Sequence, residues 1–196
     1  MSKIILIDNG HGQNTRGKCS PDKSLLEWKY AREIANKVQS KLKDLGYDVR
    51  LITPEETDIS LSVRTRRVNE ICKQYGSQNC LLISIHNNAA GSDGRWHDAK
   101  GWTGYVYTKC SANSKKLANC LYDAAEEHGL KGRKPLPSQK YWTANFAIIK
   151  NTNCPAVLTE NLFMDNKNEV EFLLSDAGKE AIADLHVNGI INYCND

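Results

Sequence analysis

The sequence predicts one α/β domain built on a mostly parallel mixed sheet of about six strands, with helices on both faces. Segments of strand length alternate along the chain with segments whose apolar residues recur at helical spacing. Residues 80–86, CLLISIH, contain one polar residue before the final histidine, which is typical of a strand covered on both faces. The 196 residues fit one ordinary domain, and no repeat, linker or change of composition marks a second.

The first half of the chain contains three predicted strands and two predicted helices. The strands cover residues 3–8, 48–53 and 80–86. The first helix, 24–45, carries an apolar residue at every fourth position and ends before Gly46. The second helix is capped by Ser60 and ends at Gly76. Its predicted buried face consists of Leu61, Val68, Ile71 and Tyr75.

The second half begins with a long loop at residues 87–103 that is rich in Gly, Asp and Trp. Loops of this length inside a compact domain usually have a function. The remaining predicted strands cover residues 104–109, 146–149 and 155–160. The remaining predicted helices cover residues 112–128, 167–174 and 176–193.

Charge and cysteine content narrow the possible functions. The formal charge is +3 and the 26 basic residues are scattered among 23 acidic ones, so we expect no nucleic-acid partner. No apolar run reaches the length of a membrane span, which predicts a soluble protein, and we expect a monomer. The seven cysteines are an odd number without a CxxC pair, which favours reduced thiols that pack as small apolar residues.

Residues that bear chemistry follow three of the predicted strands. His11 lies in DNGHG just after the first strand, His86 ends the third, and Glu160 ends the last. Parallel strands deliver their carboxyl ends to one edge of a sheet, and Glu27 begins the helix that starts from that edge. Two imidazoles and a carboxylate form the ligand set of a catalytic zinc site, and a further carboxylate then serves to move protons. Glu160 is the candidate for that second role.

Each of these residues also has a purely structural interpretation. His11 suits a turn between two glycines, and His86 suits the end of a strand. Glu27 completes the capping box SLLE, in which Ser24 caps the helix and the glutamate bonds back to the cap amide. Glu160 has the weakest such alternative, because a carboxylate that ends a buried strand is costly unless it is paired or functional. The residues alone leave the choice open.

Six motifs in order along residues 3–193 resemble the zinc-dependent N-acetylmuramoyl-L-alanine amidases of the amidase-3 type. These motifs are IDNGHG (7–12), SLLEWKYAREIANKVQSKLKDLGYDVRLI (24–52), SLSVRTRRVN (60–69), LLISIHNNA (81–89), SKKLANCL (114–121) and PAVLTENLFMDN (155–166). Because no linker or change of composition marks a second domain, we expect residues 1–196 to be a single catalytic amidase domain without a separate cell-wall-binding domain. The resemblance implies peptidoglycan as the substrate, and cleavage of the amide between the lactyl group of N-acetylmuramic acid and L-alanine.

The same resemblance assigns roles to individual residues. It implies that His11, Glu27 and His86 bind Zn²⁺ and that Glu160 is the catalytic glutamate. Arg64 and Asn69 match an Arg and an Asn of the family, and we interpret both as structural or as supports of the site. Asp8 is a candidate to orient His11 through a hydrogen bond, although closing a turn is an equal alternative.

The chain departs from the family pattern in two loops. Asn9 stands where a proline commonly follows the strand Asp, which is expected to change the loop without removing a ligand. The loop with Trp96, His97 and Trp102 has no clear family pattern, and His97 is interpreted as a solvated histidine rather than an extra ligand. The aromatic residues of this loop, with Tyr141 and Trp142, are candidates either for a substrate groove or for the core.

Three other functions remain as alternatives to the amidase. The same metal residues would serve a peptidase or deacylase acting on another amide, and a silent cell-wall-binding module would keep the fold. A cysteine hydrolase using Cys154 or Cys110 is the third. The N-terminus enters the first strand without a signal peptide. We therefore expect synthesis in the cytoplasm and action on the wall after release, as in phage lysins, unless a secretion signal has been removed.

Overall fold

A computed structural model describes residues 3–195 as one six-stranded sheet with helices on both faces, which confirms the predicted fold class. The strands are β1 (Ile4–Asn9), β2 (Asp48–Leu51), β3 (Cys80–Asn88), β4 (Thr103–Tyr107), β5 (Trp142–Ala144) and β6 (Ala156–Phe163). The helices are α1 (Glu27–Asp44), α2 (Leu61–Tyr75), α3 (Ala112–Glu127), α4 (Ala147–Lys150), α5 (Lys167–Leu174) and α6 (Asp176–Asn195). No helix within residues 3–195 has the length and apolar character needed to cross a membrane.

The strand order β2-β1-β3-β6-β4-β5 explains how distant segments meet. Strands β2, β1, β3 and β6 run parallel, whereas β4 is antiparallel to β6. The carboxyl ends of β1, β3 and β6 therefore lie side by side at one edge of the sheet. Ligand sites of open α/β sheets form at such an edge.

Alternating side chains of the buried strands build a core on each face of the sheet. Ile5 and Ile7 of β1 belong to the cluster that contains residues of α1, α3 and α6. Ile4 and Leu6 belong to the cluster that contains residues of α2 and α4. Strands with apolar residues on both faces are typical of a covered parallel sheet, so this sheet is a rigid support for the loops at its edge.

Several predicted elements need correction. The predicted strand at 146–149 is wrong: Phe146 is the N-cap residue of the short helix α4, residues 147–149 belong to that helix, and the strand in this region is β5 at Trp142–Ala144. A short apolar run has no periodicity that separates helix from strand. Helix α2 buries Arg64, Thr65, Val68 and Cys72, while Leu61 and Tyr75 of the predicted face are exposed. The cap at Ser60 is confirmed, since its side chain accepts from the amide of Val63.

The cysteines and one buried histidine complete the core. All seven cysteines are free, as predicted. His186 of α6 is fully buried, with Nδ1 2.7 Å from the carbonyl oxygen of Ile182 and Nε2 2.9 Å from the hydroxyl of Thr159. Because a carbonyl only accepts, Nδ1 carries the proton and Nε2 accepts from Thr159. Burial lowers the pKa of His186 to about 4, so the ring is neutral in the folded protein.

This buried histidine predicts a loss of stability in mild acid. The ring protonates near pH 6.5 in the unfolded chain but only near pH 4 in the folded one, so unfolding takes up a proton between these values. Above pH 6.5 this proton uptake does not affect the free energy of unfolding. Near pH 4 it lowers the free energy of unfolding by about 3 kcal/mol. Urea unfolding of wild type and His186→Gln across this range measures it: the wild-type free energy of unfolding is expected to fall more steeply. Parallel profiles would contradict the assignment.

Candidate metal centre

His11 is held in a left-handed turn by the two glycines that flank it. Its φ of 62° is unusual for a residue with a side chain. A Cβ at Gly10 would lie 2.3 Å from Cε1 of His86, and a Cβ at Gly12 would lie 2.0 Å from the amide nitrogen of Asp58. Neither position has room for a side chain. The glycines therefore let the chain turn directly beside the His86 ring.

Two arginines fix the backbone of this turn. The carbonyl oxygen of His11 accepts from Arg32 Nη2 at 3.0 Å and from Arg64 Nη2 at 3.1 Å. Arg64 is buried and also donates to the carboxylate of Asp8 at 2.9 Å. The Asp8 carboxylate accepts a further bond, at 2.6 Å, from Ser84. Asp8 is therefore bonded to Arg64 rather than to the His11 ring, and Arg64 links the Asp8 carboxylate to the backbone of His11.

Loss of the Arg64 guanidinium is expected to destabilise the fold. Arg64→Met leaves Asp8 buried without its opposite charge, and breaking a buried ion pair in this way costs about 3–5 kcal/mol. The exposed neighbour Arg66 pairs with Glu70 at 3.8 Å, so Arg66→Met should change stability by less than about 1 kcal/mol. Urea unfolding monitored by circular dichroism compares the two variants. If both variants lost the same free energy of unfolding, the buried Arg64–Asp8 pair would contribute no more to stability than the exposed pair.

Glu27 is the first residue of α1, and its carboxylate is turned into the site. It is 1% exposed, and Oε1 accepts from His86 Nδ1 and from the amide of Asn87, both at 3.0 Å. The predicted capping box is wrong: no side chain caps the helix, and Ser24 donates to Asp22 instead. Cys19 and Leu26 pair in an isolated antiparallel β-bridge, and the helix begins directly after it, at Glu27.

His11, Glu27 and His86 form a compact cluster that suits a divalent metal. One donor atom from each lies within 4.8 Å of the other two, and the two imidazole rings meet edge to face at 5.0 Å. Glu27 Oε2 is buried, lies 3.3 Å from His11 Nε2 and accepts no hydrogen bond. A buried carboxylate oxygen without a donor, beside two imidazoles, fits a bound cation.

The electrostatics of this cluster favour an ionised carboxylate. Burial acts to raise the pKa of Glu27, but the hydrogen bond from His86 and the nearby His11 ring outweigh it, so that pKa lies below its usual range. Burial likewise opposes protonation of His86, yet Glu27 holds the His86 pKa above its usual value. A negative site of this kind attracts a cation, which takes the place of the ring proton.

Glu160 lies next to His86 in the sheet. The two residues are register partners between β3 and β6, so their side chains start from neighbouring positions. Burial, with the charge of Glu27, raises the pKa of Glu160 to about 7, although His86 and Lys18 act to lower it. Oε2 of Glu160 is buried without a hydrogen-bond partner. The strand continues to Phe163, so Glu160 is interior to β6 rather than at its end.

A bulge just beyond Glu160 was not expected from the sequence. The register shifts between His86 and Asn88, and Leu162 has a φ of 64° while buried. Asn161 is fully buried there and donates to the carbonyl oxygen of His86 at 3.0 Å. Strained backbone that is held by buried bonds is typical of functional sites. The sequence held no turn signal that would have revealed it.

A cavity of about 400 Å³ opens over the cluster. Its lining residues are His11, Lys18, Glu27, Leu61, His86, Asn87, Asn88, Ala89, Phe146, Ala147, Ile148, Leu158, Glu160 and Met164. All four predicted site residues therefore share one cavity. Lys18 and Phe146 were missed, because each belongs to a loop or helix start that has no motif of its own.

The other residues that the sequence singled out lie elsewhere. His97 contacts Asp93 at 2.9 Å in the exposed loop and is not part of the cluster. Trp102 is fully buried and donates to Asn161 at 2.9 Å, so it belongs to the core rather than to a groove. Asn69 fastens the loop before β6 by bonding to Asn151 and Asn153. Tyr141, Trp142 and the exposed Trp96 do not line the cavity.

Comparison with known proteins gives this geometry a context. The chain is 32% identical over 203 residues to the endolysin of Bacillus phage SPP1, covering 100% of this chain and 67% of that protein. It is 29% identical over 196 residues to the N-acetylmuramoyl-L-alanine amidase CwlM of Bacillus licheniformis, covering 97% of this chain and 68% of the relative. The chain thus spans about two thirds of the length of these relatives.

A solved structure agrees. The catalytic domain of CwlV, an N-acetylmuramoyl-L-alanine amidase from Bacillus (Paenibacillus) polymyxa var. colistinus, matches with a TM-score of 0.81 and 26% identity, covering 98% of each chain. The family model Amidase_3, described as N-acetylmuramoyl-L-alanine amidase, matches residues 5–192. Because this match spans nearly the whole chain, the protein belongs to the Amidase_3 family of N-acetylmuramoyl-L-alanine amidases.

Proposed function

We propose that the protein is a zinc-dependent peptidoglycan hydrolase that cleaves the amide between the lactyl group of N-acetylmuramic acid and L-alanine of the stem peptide. The observation that carries the proposal is the convergence of His11, Glu27, His86 and Glu160 on one cavity of a chain from this family. Family membership favours this amide over those cut by peptidases or deacylases, which would use the same donor set. Cys154 and Cys110 do not line the cavity, which argues against a cysteine hydrolase.

His11, Glu27 and His86 would hold the metal. When bound, Zn²⁺ supplies a Lewis acid that polarises a carbonyl oxygen and lowers the pKa of a water molecule. Hydrogen bonds from other residues hold these donors in place. The amide of Asn87 donates to the Glu27 carboxylate, and the side chain of Asn161 donates to the carbonyl oxygen of His86. Such supports orient ligands and raise affinity.

Glu160 would act as general base and then as general acid. Its pKa of about 7 lies close to neutral pH. The Glu160 carboxylate can therefore accept a proton in one step and donate it in the next at a small cost in free energy. Glu160 would take a proton from the attacking water and deliver it to the nitrogen of the leaving L-alanine. Leu158 and Ile148 line the same cavity and give it apolar surface.

Purified peptidoglycan tests the proposal directly. The protein should lower the turbidity of a wall suspension, release fragments with new L-alanine amino termini detectable by mass spectrometry, and stop when a chelator is added. Release of other termini would identify a peptidase instead. Activity that survives the chelator but is lost on thiol alkylation would support the cysteine alternative. Binding without release would indicate the silent wall-binding module.

The remaining parts of the proposal concern the setting of the enzyme. Curated relatives include an endolysin and a probable cell wall amidase, LytH of Staphylococcus aureus. These names support action at the cell wall, with cytoplasmic synthesis and later release as the proposed route. A single catalytic domain over residues 1–196, the absence of a nucleic-acid partner and a monomeric state stay predictions.

A further inference from the structure

A second cavity adjoins the cavity over the metal centre. It measures about 460 Å³ and lies between a loop around residues 16–23 and a loop around residues 89–95. Lys18, Ala89 and Met164 line both cavities. The two spaces therefore form one cleft that extends away from Glu160 towards these loops.

The second cavity, which we call the basic cavity, is strongly cationic. Arg16, Lys18, Lys23 and Arg95 line it, and Asp165 is the only acidic residue that does. Within residues 3–195 the structure gives none of these four cations an ion-pair partner. Several unpaired charges of one sign in a concave site raise the local concentration of ligands of the opposite charge. The ligand is therefore expected to be anionic.

Hydrogen bonds preorganise both walls of the basic cavity. In the first loop, Asp22 accepts from the hydroxyls of Ser20 and Ser24 at 2.6 and 2.7 Å. In the second loop, the amides of Ala90 and Gly91 donate to Asp165 Oδ2 at 2.8 and 3.0 Å. The other oxygen of this 6% exposed side chain, Oδ1, is buried without a partner. Asp165 therefore holds the second loop in place.

The opposite end of the cleft has a different chemistry. Phe146 and Leu61 line the cavity over the metal centre and remain 42% and 51% exposed. An exposed aromatic ring beside aliphatic side chains offers a surface for the apolar face of a sugar. The cleft therefore runs from an apolar end at Phe146, past Glu160, to a cationic end at Arg95.

We propose that the basic cavity binds a free carboxylate of the stem peptide, so that the peptide lies towards Arg95 and the sugar towards Phe146. This inference rests on the proposed function. In peptidoglycan the residue after L-alanine is an isoglutamyl residue whose α-carboxyl group is either free or amidated. The enzyme is accordingly selective for stem peptides with the free carboxylate, and Arg16, Lys23 and Arg95 determine this specificity.

Matched substrates test the inference. The two substrates are N-acetylmuramoyl tripeptides that differ only in whether the isoglutamyl carboxyl group is free or amidated. The kcat/KM on each substrate is measured for wild type, for the single variants Arg16→Gln, Lys23→Gln and Arg95→Gln, and for the triple variant. Each single change is expected to lower kcat/KM on the free acid about threefold and the triple change about twentyfold. The amidated substrate should change far less, and the wild-type preference should shrink as salt is raised. Lys73→Gln, at the far end of α2, is the matched control and should equal wild type.

Direct binding separates this inference from the proposed function. Calorimetry with the released tripeptide, which is not turned over, should show tighter binding of the free acid to wild type and loss of that preference in the triple variant. Equal effects on both substrates would overturn the inference while the amidase stands. Selectivity that appears only on walls bearing phosphate polymers would overturn it in favour of a polymer ligand. If wild type releases no L-alanine termini, the proposed function itself fails.

Discussion

Replacing Glu160 with glutamine is expected to lower kcat by about 10²–10⁴-fold, the usual contribution of a positioned acid–base group. Glutamine keeps the size and polarity of the side chain but neither accepts nor returns a proton. His11, Glu27 and His86 stay in place in this variant, so the zinc content should equal that of wild type. Turnover of a soluble muramoyl peptide and metal analysis of the same preparation measure both quantities.

A matched control separates proton transfer from a general effect of charge. Glu171 is an exposed glutamate on α5, and Glu171→Gln removes the same charge far from the cavity. It should retain the wild-type rate. If Glu160→Gln were as active as this control with full metal content, the assignment of Glu160 as the general base would be wrong, although the metal centre would stand.

Replacing His11 with asparagine is expected to abolish activity by loss of the metal. Asparagine tolerates the left-handed backbone, which His11 adopts with a φ of 62°, better than most residues, so the turn should persist without the imidazole. The affinity for Zn²⁺ should fall by more than about 100-fold, the upper range for loss of a mere supporting hydrogen bond. Competition with a fluorescent chelator measures the affinity, and circular dichroism monitors the fold.

The exposed loop histidine supplies the control for this change. His97→Asn removes an imidazole that is hydrogen-bonded to Asp93 in the exposed loop and should leave the zinc affinity and turnover unchanged. Unchanged zinc affinity in His11→Asn would remove His11 from the ligand set. Together, the His11 and Glu160 variants distinguish an enzyme that has lost its metal from one that keeps the metal but transfers no proton.

The sequence predicted the location of the site because parallel strands share an edge. His11, His86 and Glu160 each follow or end a strand pattern, so the topology alone brings them together. Glu27 shows the limit of local patterns: the motif SLLE indicates a helix cap, whereas the bridge between Cys19 and Leu26 starts the helix later and turns the carboxylate inward. Only the resemblance of the whole chain favoured a metal ligand over a helix cap for Glu27.

Other features depend on tertiary contacts that no local pattern encodes. The bulge at Leu162 arises because Asn161 is held by Trp102 and by the backbone of His86, and none of these partners is near it in sequence. Residues 146–149 were predicted as a strand because their apolar run is too short to have a period. The basic cavity likewise joins two loops separated by about 70 residues of chain: the first supplies Arg16, Lys18 and Lys23, and the second supplies Arg95.

The dispersed origin of the proposed metal donors would link ion binding to folding. His11 comes from a turn after β1, Glu27 from the first turn of α1, and His86 from the central strand β3. An ion shared by these three segments binds the native chain and not the unfolded one, so it stabilises the fold by about 4 kcal/mol when present at a thousandfold excess over its Kd. The availability of zinc would therefore govern the lifetime of the protein against proteases as well as its turnover.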